Sequence, residues 1–458
     1  MTGGSGTTAV EVAGREPAAA PGWEREWGTV SGTSVPDDGV VGLAGPHDWS
    51  AGYELIGPAV DGAPGGEHEG ARQAVLVDIE NRGGRSTFSM LQPEIERGQV
   101  AYARVQWQTG IAPGVPEHAQ GVGLAILRDF GRHLRERFDV LVMAGASQSA
   151  WFVNTFVAEG FNQDPDSGEQ DPGSGSGVYA GAFAYLSGGN WLAINRLGDD
   201  GEAAAPYARP DGVPLTAARI LTRPASDPFL VEISSYTDYY RLRASVQAAS
   251  PVPARARHYD YPSPHAPGTV AGPDLVFGSL GCNGGHPVPM NPVGAGPAAR
   301  AALLGLFREV GATGLPDGVP ALAPSVFFDL GPAPPASEYF NALAGVDLRV
   351  PVVDDDAQPR GGVRFPEVEA PLGRPEPVAL PPCGTASITD VCGNFGGWQA
   401  FTPEELRARY GSADAYAARY ATAYDAMVDG GYAMQSGRDA AVADARAAFT
   451  SLLAPRGP

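Results

Sequence analysis

The 458-residue chain contains no lysine: all 31 of its basic residues are arginine. That absence excludes a lysine Schiff base, a Ser-Lys dyad and a Walker-type phosphate loop. Cysteine is scarce, with only Cys282, Cys383 and Cys392. No Cys-x-x-Cys pair is present, which argues against a structural zinc site. Cys383 and Cys392 share a Pro/Gly-rich stretch, where a disulfide and two free thiols are both open. No apolar run approaches the roughly 18 residues of a membrane span. The opening Met1-Thr-Gly-Gly-Ser-Gly lacks a basic region followed by an apolar run. These absences predict a soluble, cytoplasmic protein without a signal peptide. Positive charge is also short: 52 acidic residues leave a formal net charge of -21. Nucleic-acid binding needs clustered cations, so neither nucleic acid nor a membrane is an expected partner. A small molecule is; homo-oligomerisation stays open.

What is present is a substantial core-forming fraction, 43% hydrophobic, with 62 Gly and 43 Pro marking many loops. Apolar runs over 73–80, 100–108, 138–144, 178–186, 229–235 and 258–261 read as strands. Between them, Val122, Ile126, Phe130 and Leu134 recur at steps of four and predict a helix over 120–137. Further helices are expected over 239–248, 298–310, 403–423 and 437–453, with Thr402 as an N-cap ahead of Pro403. Alternating strands and helices predict an α/β fold with a mostly parallel central sheet flanked by helices. The expected division is an N-terminal arm (1–45), a core (46–315) with an insertion or cap around 162–225, and a C-terminal extension (316–458) packed on the core. That extension is Pro/Gly-rich first and helical later.

One stretch carries chemistry. Phe138 to Ala144 is a buried-strand pattern, Gly145-Ala-Ser147-Gln-Ser149 a turn, and Trp151, Phe152, Thr155 and Phe156 a helical face. A serine at such a strand-to-helix elbow is exposed beside helix-terminal N–H groups, which a nucleophile needs. Its base must be a histidine oriented by an acid. In the order serine, acid, histidine, three of the seven histidines qualify: His258, His265 and His286. His265 follows a strand in a Pro-rich loop and is preferred; His258 lies inside the strand pattern. Asp238 follows the strand 229–235 and is the preferred acid, with N-capping of the helix behind it as the competing role. Glu232 sits within its strand, Asp260 is a weaker choice, and Asp274 breaks the order. Ser147, Asp238 and His265 all follow predicted strands, where open α/β sheets place their sites. For the oxyanion, the Gln148 amide and one from Asn81-Arg-Gly-Gly84 are the candidates. Trp151, Tyr185 and Trp191 are the candidate lining of an acyl pocket, with core packing as the alternative.

These residues resemble the bacterial "alpha/beta hydrolase domain-containing" proteins. The shared marks are the Gly-x-Ser-Gln-Ser elbow, Phe156-Val-Ala-Glu-Gly-Phe-Asn162, and Ile79-Glu-Asn-Arg-Gly-Gly84. Others are Ser235-Tyr-Thr-Asp238, the segment Arg257 to Ala266, and Gly361-Gly-Val-Arg-Phe-Pro366. Many members carry Glu where this chain has Tyr236; if that Glu is the family's acid, either Asp238 takes the role here or catalysis is weakened. The resemblance implies an α/β-hydrolase fold and ester-type hydrolysis without naming a substrate. The expectation is a serine hydrolase cleaving a carboxylic ester or lactone through an acyl-enzyme on Ser147, with no metal or cofactor. An acyltransferase on the same triad and a non-catalytic binding protein of the same fold are the alternatives.

Overall fold

The computed structural model describes residues 6–35, 45–59, 73–81, 83–108, 121–164, 177–190, 192, 215–241, 244–266, 289–332, 349–377 and 396–454. Trp191, Asp274, His286 and all three cysteines lie outside the described residues.

Among the described residues, nine strands form one mostly parallel sheet, flanked by helices, in the order β1-β2-β3-β5-β4-β6-β7-β8-β9. They are β1 (Gly6–Pro17), β2 (Trp23–Ser34), β3 (His47–Pro58), β4 (Ala74–Asp78), β5 (Ala101–Val105), β6 (Val140–Ala146), β7 (Gly181–Tyr185), β8 (Phe229–Ser235) and β9 (Ala256–Tyr261). β1, β2 and β3 join the sheet antiparallel, and β5, β4, β6 and β7 pair in parallel. β4 and β6 read as nearly unbroken apolar runs because both faces are covered: all of β4, and all of β6 but its last residue, is buried.

The helices are α1 (Phe88–Glu96), α2 (Val122–Leu134), α3 (Gln148–Ala158), α4 (Ala217–Ile220), α5 (Asp238–Arg241), α6 (Ala244–Ala248), α7 (Gly296–Glu309), α8 (Pro366–Glu369), α9 (Pro403–Tyr410), α10 (Ala413–Asp429) and α11 (Arg438–Leu453). α2 buries Val122, Ile126, Phe130 and Leu134, the four residues whose spacing predicted it. α9 starts as expected at Thr402, whose side chain forms a reciprocal capping box with Glu405. Of the helix expected over 239–248, the described residues show α5 and α6, and residues 242–243 lie outside the described residues. The one expected over 403–423 breaks at Gly411 (φ 74°), before Ser412 caps α10. Two short antiparallel pairs, β10 (Leu330–Pro332) with β11 (Arg349–Pro351) and β12 (Gly373–Glu376) with β13 (Gly397–Ala400), lie in the Pro/Gly-rich stretch.

The chain divides into two compact units. The first comprises Met1–Glu232, Pro251–Ala256 and Leu303–Val319; the second comprises Ile233–Ser250, Arg257–Ala302 and Pro320–Pro458. Among the described residues, no helix is long and apolar enough to cross a membrane.

Candidate active site

In the first unit, Ser147 sits between β6 and α3 with φ 58° and ψ -122°. A positive φ is uncommon for a residue with a Cβ and is tolerated only where the surroundings hold it. Here they do. The Ser147 N–H donates to the Tyr185 carbonyl at the end of β7 (2.9 Å), and the Ser147 carbonyl accepts from Ala150 and Trp151 N–H. Gly145 is required for the close strand–helix approach: a Cβ there would stand 2.4 Å from the Ser149 carbonyl oxygen. Ser149 occupies the position of the elbow's second glycine. Its buried hydroxyl donates to the Glu80 carbonyl (2.9 Å) beyond β4 and pins α3 to the sheet.

The elbow's context is likewise structural. Gly160 ends α3 with φ 87°. Asn162, buried, donates to the carbonyls of Tyr179 and Ser226 and accepts from Tyr179 N–H. The Gly-Phe-Asn mark is therefore the joint by which the chain leaves α3.

The second unit holds the acid and the histidine. Asp238 is buried, and its Oδ1 lies 2.9 Å from His265 Nδ1. Its Oδ2 accepts from Ser235 N–H (2.7 Å), while Ser235 Oγ accepts from Asp238 N–H (3.3 Å). Ser-Tyr-Thr-Asp is thus a capping box at the exit of β8. The capping role and the histidine-orienting role coexist, one carboxylate oxygen to each. Two further bonds tie this turn to the loop after β9: Tyr236 N–H to the Ser263 carbonyl, and His265 N–H to Thr237 Oγ1, both 2.9 Å. With the Nδ1 proton toward the carboxylate, the imidazole lone pair falls on Nε2. That atom is buried and has no partner among the described residues.

The other candidates have different occupations. His258 Nε2 is bonded to Asp260 Oδ1 (3.0 Å), and its ring stacks on Phe327 at 4.8 Å. Asp260 Oδ2 in turn accepts from Tyr239 OH and Phe328 N–H, so this pair braces the second unit's core. Glu232 is buried in the first unit, accepting from Asn154 Nδ2 at 3.1 Å. Tyr236 is packed edge-on to Tyr240 and Phe328. Burial pushes its phenol well above the ordinary range, so it stays neutral.

The oxyanion expectation is corrected at Asn81. Its N–H donates to the Gly84 carbonyl (2.9 Å) and Gly84 N–H returns to Asn81 O, closing a tight turn that consumes both amides. The Asn81 side chain instead donates to the Ala146 carbonyl (3.1 Å), bracing the residue before the nucleophile. Gln148 is the first residue of α3, whose leading N–H groups have no intrahelical acceptor. Trp151 is buried in the first turn of α3, and Tyr185 stacks on Phe183 at the end of β7. Both are bonded to Ser147 through the main chain.

Sequence reasoning missed Asn190. It is fully buried, and neither its Oδ1 nor its Nδ2 has a partner among the described residues. It lies just beyond β7 in a loop where Leu186 (φ 63°), Gly188 (φ 55°) and Gly189 (φ 73°) all take left-handed backbone. The Leu-x-Gly-Gly-Asn run after an apolar strand was the available signal.

A family model described as "Alpha/beta hydrolase domain" matches residues 89–443. A search of curated proteins returns no match. Among solved structures, the chain is similar to a post-proline cleaving enzyme from Rickettsia typhi, with 8% identity and a TM-score of 0.28, over 55% of this chain and 47% of that one. The alignment thus spans about half of that enzyme's length. It is also similar to an S-formylglutathione hydrolase from Staphylococcus aureus, with 11% identity and a TM-score of 0.25, over 52% of this chain and 92% of that one. Likeness this slight carries no argument about activity.

Proposed function

We propose, since this chain belongs to the family built on an alpha/beta hydrolase domain, that it is a serine hydrolase cleaving a carboxylic ester or lactone. The observation that carries the reading is the state of His265: Nδ1 is held by Asp238, and Nε2 is buried without a partner among the described residues. A base needs that combination of a fixed tautomer and a free lone pair. Ser147, strained at the end of β6, supplies the nucleophile.

In this reading, Ser147 Oγ attacks the ester carbonyl as His265 Nε2 takes its proton. Negative charge develops on the former carbonyl oxygen, where the Gln148 amide at the start of α3 donates to it. Collapse expels the alcohol, which receives the proton from His265. Water, deprotonated by the same nitrogen, attacks the acyl-Ser147 ester and releases the acid. Asp238 holds the ring in place throughout and stabilises the imidazolium. For a lactone, alcohol and acid leave as one molecule.

The test is labelling with a fluorophosphonate, which captures an activated serine. Labelling of the native chain, abolished in Ser147→Ala and His265→Ala, is expected. An unlabelled native chain, or one still labelled in Ser147→Ala, would refute the nucleophile. A panel of p-nitrophenyl esters of graded acyl length, set beside lactones, then fixes the substrate class.

A further inference from the structure

The second unit contains a cavity of about 420 Å³ that nothing above uses. Small-molecule sites fall in this size range, roughly 300–1,000 Å³. Its walls come from the segment entering α7, from α8, from β12 and β13, and from one face each of α10 and α11. Convergence of these segments on one space, closed on one side by small α11 residues such as Ala441 and Ala445, leaves room that larger side chains would fill.

The chemistry of the lining is one-sided. It includes the aromatic residues Trp398, Tyr416 and Tyr420 and the acidic residues Glu367 and Asp444, and no Arg or His among the described residues. The two amide side chains in the wall have structural duties: Asn291 Oδ1 accepts from Val293 N–H, and Gln358 Nε2 donates to the Gly373 carbonyl. Glu367 accepts from Tyr420 OH at 2.7 Å, which leaves it further acceptor capacity. Burial pushes its carboxyl up, and the hydrogen bond from Tyr420 offsets that only in part.

We propose that this cavity binds a primary-amine cation carried on a ring-sized apolar body. The ammonium group sits against Glu367, supplying the positive charge the wall lacks, with Asp444 adding to the field at the exposed edge. The apolar body packs on Trp398 and Tyr420, aromatic rings of the kind that also attract a cation. A carboxylate of the same shape is rejected by like charge. A neutral alcohol of the same shape packs equally well but forfeits the ion pair. The site is independent of Ser147 chemistry.

The test is titration calorimetry of the full chain with 2-phenylethylamine, beside 2-phenylethanol and 3-phenylpropionate. Ser147 is first blocked with fluorophosphonate, or replaced in Ser147→Ala, so that the elbow is not counted. Saturable one-to-one binding of the amine is expected, about tenfold or more tighter than the alcohol, with no heat from the acid. Glu367→Gln keeps an acceptor for Tyr420 OH and should weaken the amine about tenfold while leaving the alcohol unchanged. Ala441→Phe fills the space and should abolish both, with circular dichroism confirming that each variant is folded. Equal affinity for amine and alcohol, no binding of the amine, or unchanged binding in both folded variants would overturn the proposal.

Discussion

Asp238 and His265, 27 residues apart in sequence, are joined through Oδ1 and Nδ1 at 2.9 Å, while the other Asp238 oxygen is anchored to its own turn by Ser235 N–H. Two bonds therefore fix the carboxylate. Asp238→Asn keeps the shape and the Ser235 bond, but the amide can donate to Nδ1 and so force the proton onto Nε2. A fall of about 10²–10⁴-fold in kcat, with KM little changed, is expected in steady-state ester hydrolysis. Glu232→Gln, which leaves the His265 pair untouched, should stay within a few-fold of native. The reverse ranking would move the acid to Glu232.

Ser149 carries the departure from a second glycine at the elbow. Ser149→Ala loses one buried hydrogen bond, but the Glu80 carbonyl still accepts from Trp107 Nε1 at 2.9 Å. The loss is therefore expected at the low end, about 1 kcal/mol. Ser149→Gly should cost more, since it adds backbone freedom in the first turn of α3. Gly145→Ala meets backbone at 2.4 Å and should cost about 2–4 kcal/mol. Denaturant titration checks the order, with Ser149→Ala the mildest, Ser149→Gly intermediate and Gly145→Ala the most severe.

Glu54 on β3 is buried beneath three guanidinium groups, with Arg25, Arg85 and Arg104 all at 2.6 Å. Burial alone would raise its carboxyl, yet the hydrogen bonds from Arg85, Arg25 and Arg104 win and hold it at about 2. Its unfolded value is about 4.3. The stabilisation is thus complete above about pH 4.3 and is lost as pH falls through about 2. Acid titration of the native chain should show a stability slope in that window that Glu54→Gln lacks. The arginines are a quarter to two-fifths exposed, so salt should shrink the effect.

Asn190 holds an amide in the core with no partner for either end among the described residues. Desolvating a polar group without a hydrogen bond costs stability, so removing it relieves that cost. Asn190→Ala is expected to melt at or above the native temperature. A clear drop in melting temperature would show that the amide is bonded in solution.

What the sequence offered toward the proposed site rests on local rules. A strand-to-helix turn around Ser147, an Asp238 after the strand 229–235 and a loop after the strand 256–261 are written in neighbouring residues. The same locality explains the failures. Of the helix expected over 239–248, the described residues on either side of 242–243 are helical, and Tyr236, Tyr239, Ala244 and Phe328 form one buried cluster. β3 and α1 escape the local pattern: β3 draws on partners in β2 and β5, and α1 carries Pro93 within it. Asn81 looks like an oxyanion donor because small residues surround it; the turn spends that amide on Gly84.

By itself, then, the sequence determined the alternation of strands and helices, the serine at the strand-to-helix turn, and which acid and histidine to propose beside it. Periodicity and turn chemistry act within a few residues and leave their marks in composition. Tertiary structure decided which histidine keeps a free nitrogen. His258 lies in β9 and His265 just after it, but Asp260 occupies one Nε2 and no described residue occupies the other. It also decided that Ser149 reaches back to Glu80 and that Glu54 gathers three arginines. Such bonds join residues tens of positions apart, and only the packed backbone brings their donors and acceptors within reach.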